Sequence, residues 1–154
     1  MDYELEGESR RIVLDGVRLG SFGHKHMADR AQANILFRAD ADFTVLDRSR
    51  GEWGEPADDV TCFALNYLFF SLQRSGKLED DFERLWERYL ERSGDHGMLE
   101  VAAPFLAFHG LVMANPVCYP ALDKRLRHKM LSFVRNVLED TRFDPARANA
   151  YCEA

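Results

Sequence analysis

The sequence predicts an α+β domain that is mostly helical, with short β-hairpins near the N-terminus followed by four to five helices. Three observations carry this expectation. From Asp58 onward, apolar residues recur at helical spacing. Ahead of it, short apolar runs alternate with turn-forming residues. Glycine and proline fall where one element should stop and the next begin. At 154 residues the chain has the size of one domain, large enough to bury a core. By character it divides into an N-terminal extension (1–26), a middle segment (27–60) and a helical part (61–154).

Met1 to Ser9 is an acidic lead-in. Arg11 to Gly20 reads as a β-hairpin, because Asp15-Gly16 supplies the positive φ angles of a two-residue turn. Residues 20–33, rich in Gly, His and Ala, read as a loop. His24 and His26 lie there without supporting Cys or Glu, as expected of a solvated loop rather than a metal site. Ile35-Leu36-Phe37 and Phe43-Thr44-Val45-Leu46 are β-type runs around the turn-like Ala39 to Asp42.

A helix over 58–74 follows, with Asp58 or Asp59 as its N-cap. It is apolar nearly all round through Val60, Phe63, Ala64, Tyr67, Leu68 and Phe70, and so should be buried. Ser75-Gly76 ends it. A second helix, 79–93, opens on Glu79, Asp80 and Asp81, which suit the positive end of the helix dipole. It turns Phe82, Leu85, Trp86, Tyr89 and Leu90 inward. A third spans 97–114 and should kink at Pro104. Pro116 and Pro120 bracket a turn. A fourth helix, 121–139, places Leu122, Leu126, Met130, Phe133, Val134 and Val137 on one face, and Asp144-Pro145 starts a short last one. His109, on an apolar helix, reads as a satisfied core histidine; His96 and His128 read as surface residues.

Hydrophobic residues make up 46% and charged residues 30%, the composition of a globular cytoplasmic domain. No apolar run reaches membrane-spanning length, so no membrane role is expected. A net charge of −6 argues against nucleic acid as a partner and suits a cationic small molecule. Cys62, Cys118 and Cys152 are odd in number and lack Cys-x-x-Cys spacing, indicating neither a disulfide framework nor zinc.

The candidate chemistry lies in Asp29, Asn34 and Asp47. Phosphoryl transfer from a nucleotide needs a carboxylate to orient the attacking hydroxyl, and an amide oxygen and a second carboxylate to hold Mg²⁺ on the phosphates. A tight hairpin through residues 35–46 would bring Asn34 and Asp47 to one end of a strand pair, where they could share a metal.

Met27 to Asn34, then Phe43 to Asp47, then Gly54-Glu55-Pro56-Ala57-Asp58-Asp59-Val60 resemble the catalytic-loop region of aminoglycoside phosphotransferases and related small-molecule kinases. The resemblance runs from about Met27 to the C-terminus. It implies a protein-kinase-like C-terminal lobe. Asp29 would be the catalytic base, Asn34 and Asp47 the Mg²⁺ and ATP (or GTP) ligands, and Asp59 a structural support at the start of a buried helix. The acceptor would be a hydroxyl of a small substrate such as an aminoglycoside-like amino sugar. The histidines and glycine usual in that family's catalytic loop are replaced by Met27, Ala28 and Ala31, and no phosphate-covering Gly-x-Gly-x-x-Gly or strand lysine precedes it. Activity would then need a separate N-terminal lobe. The alternative is a non-catalytic remnant serving as a helical binding or assembly module, with self-association through its exposed apolar surface.

Overall fold

A computed structural model of the chain describes residues 55–78 and 80–154, together with the backbone of two short strands. Strands β1 (Ile35–Phe37) and β2 (Phe43–Val45) pair antiparallel, with Ile35 opposite Val45 and Phe37 opposite Phe43. Five α-helices follow: α1 (Pro56–Ser75), α2 (Asp80–Ser93), α3 (Met98–Ala114), α4 (Lys124–Glu139) and the single turn α5 (Ala148–Tyr151), which a 3-10 turn at Pro145–Arg147 precedes. The hairpin expected over residues 11–20 lies outside the described residues.

This corrects the expected fold class. The domain is helical rather than α+β, and from residue 55 onward the described chain contains no strand. The reason is one of scale. Among the described residues, two strands of three residues pair with each other alone and cannot form a layer for helices to cover. The helices instead bury their apolar faces on one another.

Each helix begins and ends for a local reason. Helix α1 starts two residues earlier than the sequence suggests, because Pro56 occupies the first turn, where its missing N–H costs nothing. Its cap is therefore Glu55, whose carboxylate accepts from the Ala57 N–H at 3.5 Å, and Asp58 and Asp59 fall inside the first turn. Gly76 ends α1 at φ 73°, donating its N–H to the Leu72 carbonyl at 3.0 Å. Asp123 caps α4, accepting from the N–H of Arg125 at 2.8 Å and of Leu126 at 3.3 Å. That cap sets the start of α4 at Lys124, three residues later than expected.

Helices α1, α3 and α4 form the centre of the domain. Tyr67, Leu68, Ala102, Leu106, Met130 and Phe133 are among their fully buried side chains. Helix α3 packs on α4 at a glycine: a Cβ at Gly110 would stand 2.7 Å from Val134 Cγ2. One turn further along α3, the Ala114 carbonyl accepts from Arg127, earlier on α4, so the two helices run antiparallel. The same guanidinium donates to the carbonyls of Tyr119 at 2.9 Å and Leu122 at 3.4 Å. One planar fork of donors thus closes both the α3 end and the connection to α4.

Helix α2 is held by the C-terminal segment. Trp86 meets Phe143 at a centroid distance of 5.2 Å, Phe143 stacks on Tyr151 at 5.8 Å, and Tyr151 meets Phe133 of α4 at 6.0 Å. Asn149 grips the α1–α2 connection from both sides, accepting from the Leu78 N–H at 2.9 Å and donating to the Leu78 carbonyl at 3.4 Å. Asn136 of α4 donates to the carbonyls of Tyr151 and Glu153 at 3.0 and 2.9 Å. The last residues are therefore a structural strap across the bundle.

Candidate functional site

Of the residues singled out for chemistry, Asp29, Asn34 and Asp47 lie outside the described residues. Asp59 is described: it is solvent-exposed in the first turn of α1. Its neighbour Asp58 points the other way. Asp58 Oδ1 lies 2.7 Å from Nε2 of His109 on α3, pinning the start of α1 to the middle of α3. The His109 side chain is 7% exposed and that of Asp58 is 26% exposed. A histidine so enclosed meets its carboxylate and its neighbours, not a diffusing substrate. The arrangement is a clamp between helices, and the aromatic ring of Phe108 closes over it at 5.2 Å.

Among the described residues no group of three or more His, Cys, Asp or Glu side chains could hold a metal ion. The described part of the chain therefore offers no donor set that fits Mg²⁺, and the expected ligands Asn34 and Asp47 belong to the segment outside it. No helix among the described residues is long and apolar enough to cross a membrane.

The described surface is distinctive in another place. Its exposed large apolar side chains all fall between residues 101 and 138. On α3 they are Val101, Phe108, Leu111 and Val112; on the connection, Val117; on α4, Leu131 and Leu138. The sequence explains how α3 comes to present them. It is apolar nearly all round, so the sector left over after packing on α1 and α4 is apolar as well. Phe108 is 55% exposed and Leu138 54%. On α4 the two exposed leucines sit one heptad apart, beside the Val134 row that packs on Gly110.

The face also reflects how closely the two helices approach. Gly110 lets α4 come near, and the Ala114 carbonyl one turn on meets Arg127 of α4, while larger α3 residues stay outward. The sequence reading missed this surface. Its signal was present: α3 carries Val101, Phe105, Phe108 and Val112 at helical spacing in addition to a complete inward set.

No protein-family model, no curated protein and no solved structure matches this chain.

Proposed function

We propose that the chain is a helical binding module, and that the outer face of α3 and α4 is its contact surface. The observation that carries this reading is the confinement of the exposed large apolar side chains of the described residues to that face. Apolar residues scattered singly on a surface need no explanation, whereas a set gathered on two helices packed together is the chemistry of an interaction site. Helix α2 shows the contrast. Its outward positions are Glu83, Arg84, Glu87 and Arg88, an ordinary solvated face.

The test is the response of stability to substitution. A residue kept for contact with a partner contributes little to the fold of the isolated chain, so Leu131→Asn and Leu138→Asn should leave thermal unfolding nearly unchanged. Unfolding at a markedly lower temperature would mean that these leucines are covered within the chain, and the reading would fall.

A second reading, transfer of a nucleotide γ-phosphate to a small hydroxyl acceptor, is supported by the spacing of Asp29, Asn34 and Asp47 alone. It requires Mg²⁺-dependent ATP binding that Asp47→Ala abolishes. Isothermal titration of the full chain reads both outcomes. Heat of binding in the native chain and none in the variant supports phosphoryl transfer; no heat in either removes it.

A further inference from the structure

The contact surface proposed above has a particular shape and charge. Leu131 and Leu138 are seven residues apart on α4, as are Val101 and Phe108, and Pro104 and Leu111, on α3. Seven residues are two turns, or about 10 Å of helix. Two antiparallel helices that both expose apolar residues at this interval present a seam with the repeat of a third helix.

The charges flanking the seam are mostly cationic along α4, with the Asp123 cap, Glu139 and Glu100 of α3 as exposed exceptions. Lys124, Arg125, His128 and Arg135 are exposed on α4. Among the described residues no carboxylate stands within ion-pair distance of Lys124, Arg125 or Arg135, whereas Arg84 and Arg88 on α2 pair with Asp81 and Glu91. Lys124 and Arg125 moreover occupy the first turn of α4, which contains no acidic residue. There the partial positive charge of the helix end repels them. Arg127, in the next turn, is compensated by its three carbonyls. For Lys124 and Arg125 the compensation is limited to the Asp123 carboxylate that caps the helix. In a chain of net charge −6, these cations run against the overall charge balance, and the two in the first turn of α4 against the helix dipole as well.

We propose that the α3/α4 seam receives an acidic amphipathic helix of a partner protein, its apolar row on Leu111, Leu131 and Leu138 and its carboxylates alongside Lys124, Arg125 and Arg135. This rests on the reading of the face as a contact surface and names its occupant. An anionic bilayer fits less well. It has no two-turn repeat to match.

The experiment uses the full chain and a fluorescent synthetic peptide, a helix with Leu at the i, i+3, i+4 and i+7 positions and Glu elsewhere. A matched peptide with Lys in place of Glu is the control. Anisotropy should report binding of the Glu peptide, weakened by added salt, and little binding of the Lys peptide. Lys124→Glu/Arg125→Glu/Arg135→Glu should weaken the Glu peptide by about tenfold or more, with helix content checked by circular dichroism. Absence of Glu-peptide binding, or equal binding of both peptides, would overturn the proposal. So would stronger binding to phosphatidylcholine–phosphatidylserine vesicles than to the peptide. The two claims fail separately: a destabilised Leu138→Asn chain refutes the contact surface itself, and peptide failure with Leu138 dispensable refutes only the acidic helix.

Discussion

Nε2 of His109 and Oδ1 of Asp58 stand 2.7 Å apart, although 51 residues separate them in the chain. That contact fixes where α3 crosses the start of α1. Both partners are needed, since either alone would leave a polar group facing a mostly enclosed site. Asp58→Ala and His109→Ala should each destabilise the domain by about 1–3 kcal/mol. A double-mutant cycle in urea should return a coupling energy of about 1 kcal/mol or more. Additive single effects would mean that the contact does not organise the helices.

Gly110 is the point of closest approach between α3 and α4. An alanine there gains about 1 kcal/mol of helix propensity. Against that, its Cβ would sit 2.7 Å from a methyl of Val134, a buried β-branched side chain with little room to turn. The clash should win, with a net loss of about 1–2 kcal/mol. Adding Val134→Ala should return part of it, read as a partial recovery of the urea midpoint.

Arg127 serves three carbonyls with one guanidinium. Lysine keeps the charge but not the planar fork. Arg127→Lys should therefore cost about 1–2 kcal/mol and speed amide exchange in residues 115–122 before any other segment. Unchanged exchange there would remove Arg127 as the lock of that connection.

Alkali should destabilise the domain in a defined direction. Burial pushes the Cys152 thiol up from 9.0 to about 12. Burial, and then a hydrogen bond to the Asp140 carboxylate, raises the Tyr151 phenol too. Both groups hold their protons longer folded than unfolded. Their contribution is thus fully present below about pH 9 and is lost as pH rises through the folded value. Unfolding free energy should fall between about pH 9 and about pH 11, and Cys152→Ala should flatten that slope. Cys152 should also resist alkylation at about pH 8 until the chain unfolds. A stability flat across this range would contradict the burial of both groups.

The helical pattern was legible because its period is local. Most of the inward sets of α2 and α4 are legible residue by residue, with Phe82, Trp86, Met130 and Val137 fully buried, while Leu90 is half-buried and Leu122 precedes α4. His109 was read as a satisfied core histidine, but sequence could not say that its partner is Asp58 on another helix. The start of α1 was misplaced because Asp58 and Asp59 are good capping residues, while Pro56 makes Glu55 the cap. The α+β expectation failed because it weighed short β-type runs as part of the architecture, and three-residue strands contribute no layer. The outer face of α3 went unread because an all-round apolar helix looks buried, and only the packing of its neighbours shows which side they leave open.

On the function proposed, the apolar outer face of α3 and α4 is held for a partner and not for the fold. The most direct measurement compares thermal unfolding of Leu131→Asn/Leu138→Asn with that of Leu106→Ala, a fully buried control on α3. We expect the double variant to lose no more than about 1 kcal/mol, the helix-propensity difference of two Leu→Asn changes, while Leu106→Ala loses about 2–5 kcal/mol. A double variant as damaged as the core control would contradict the claim.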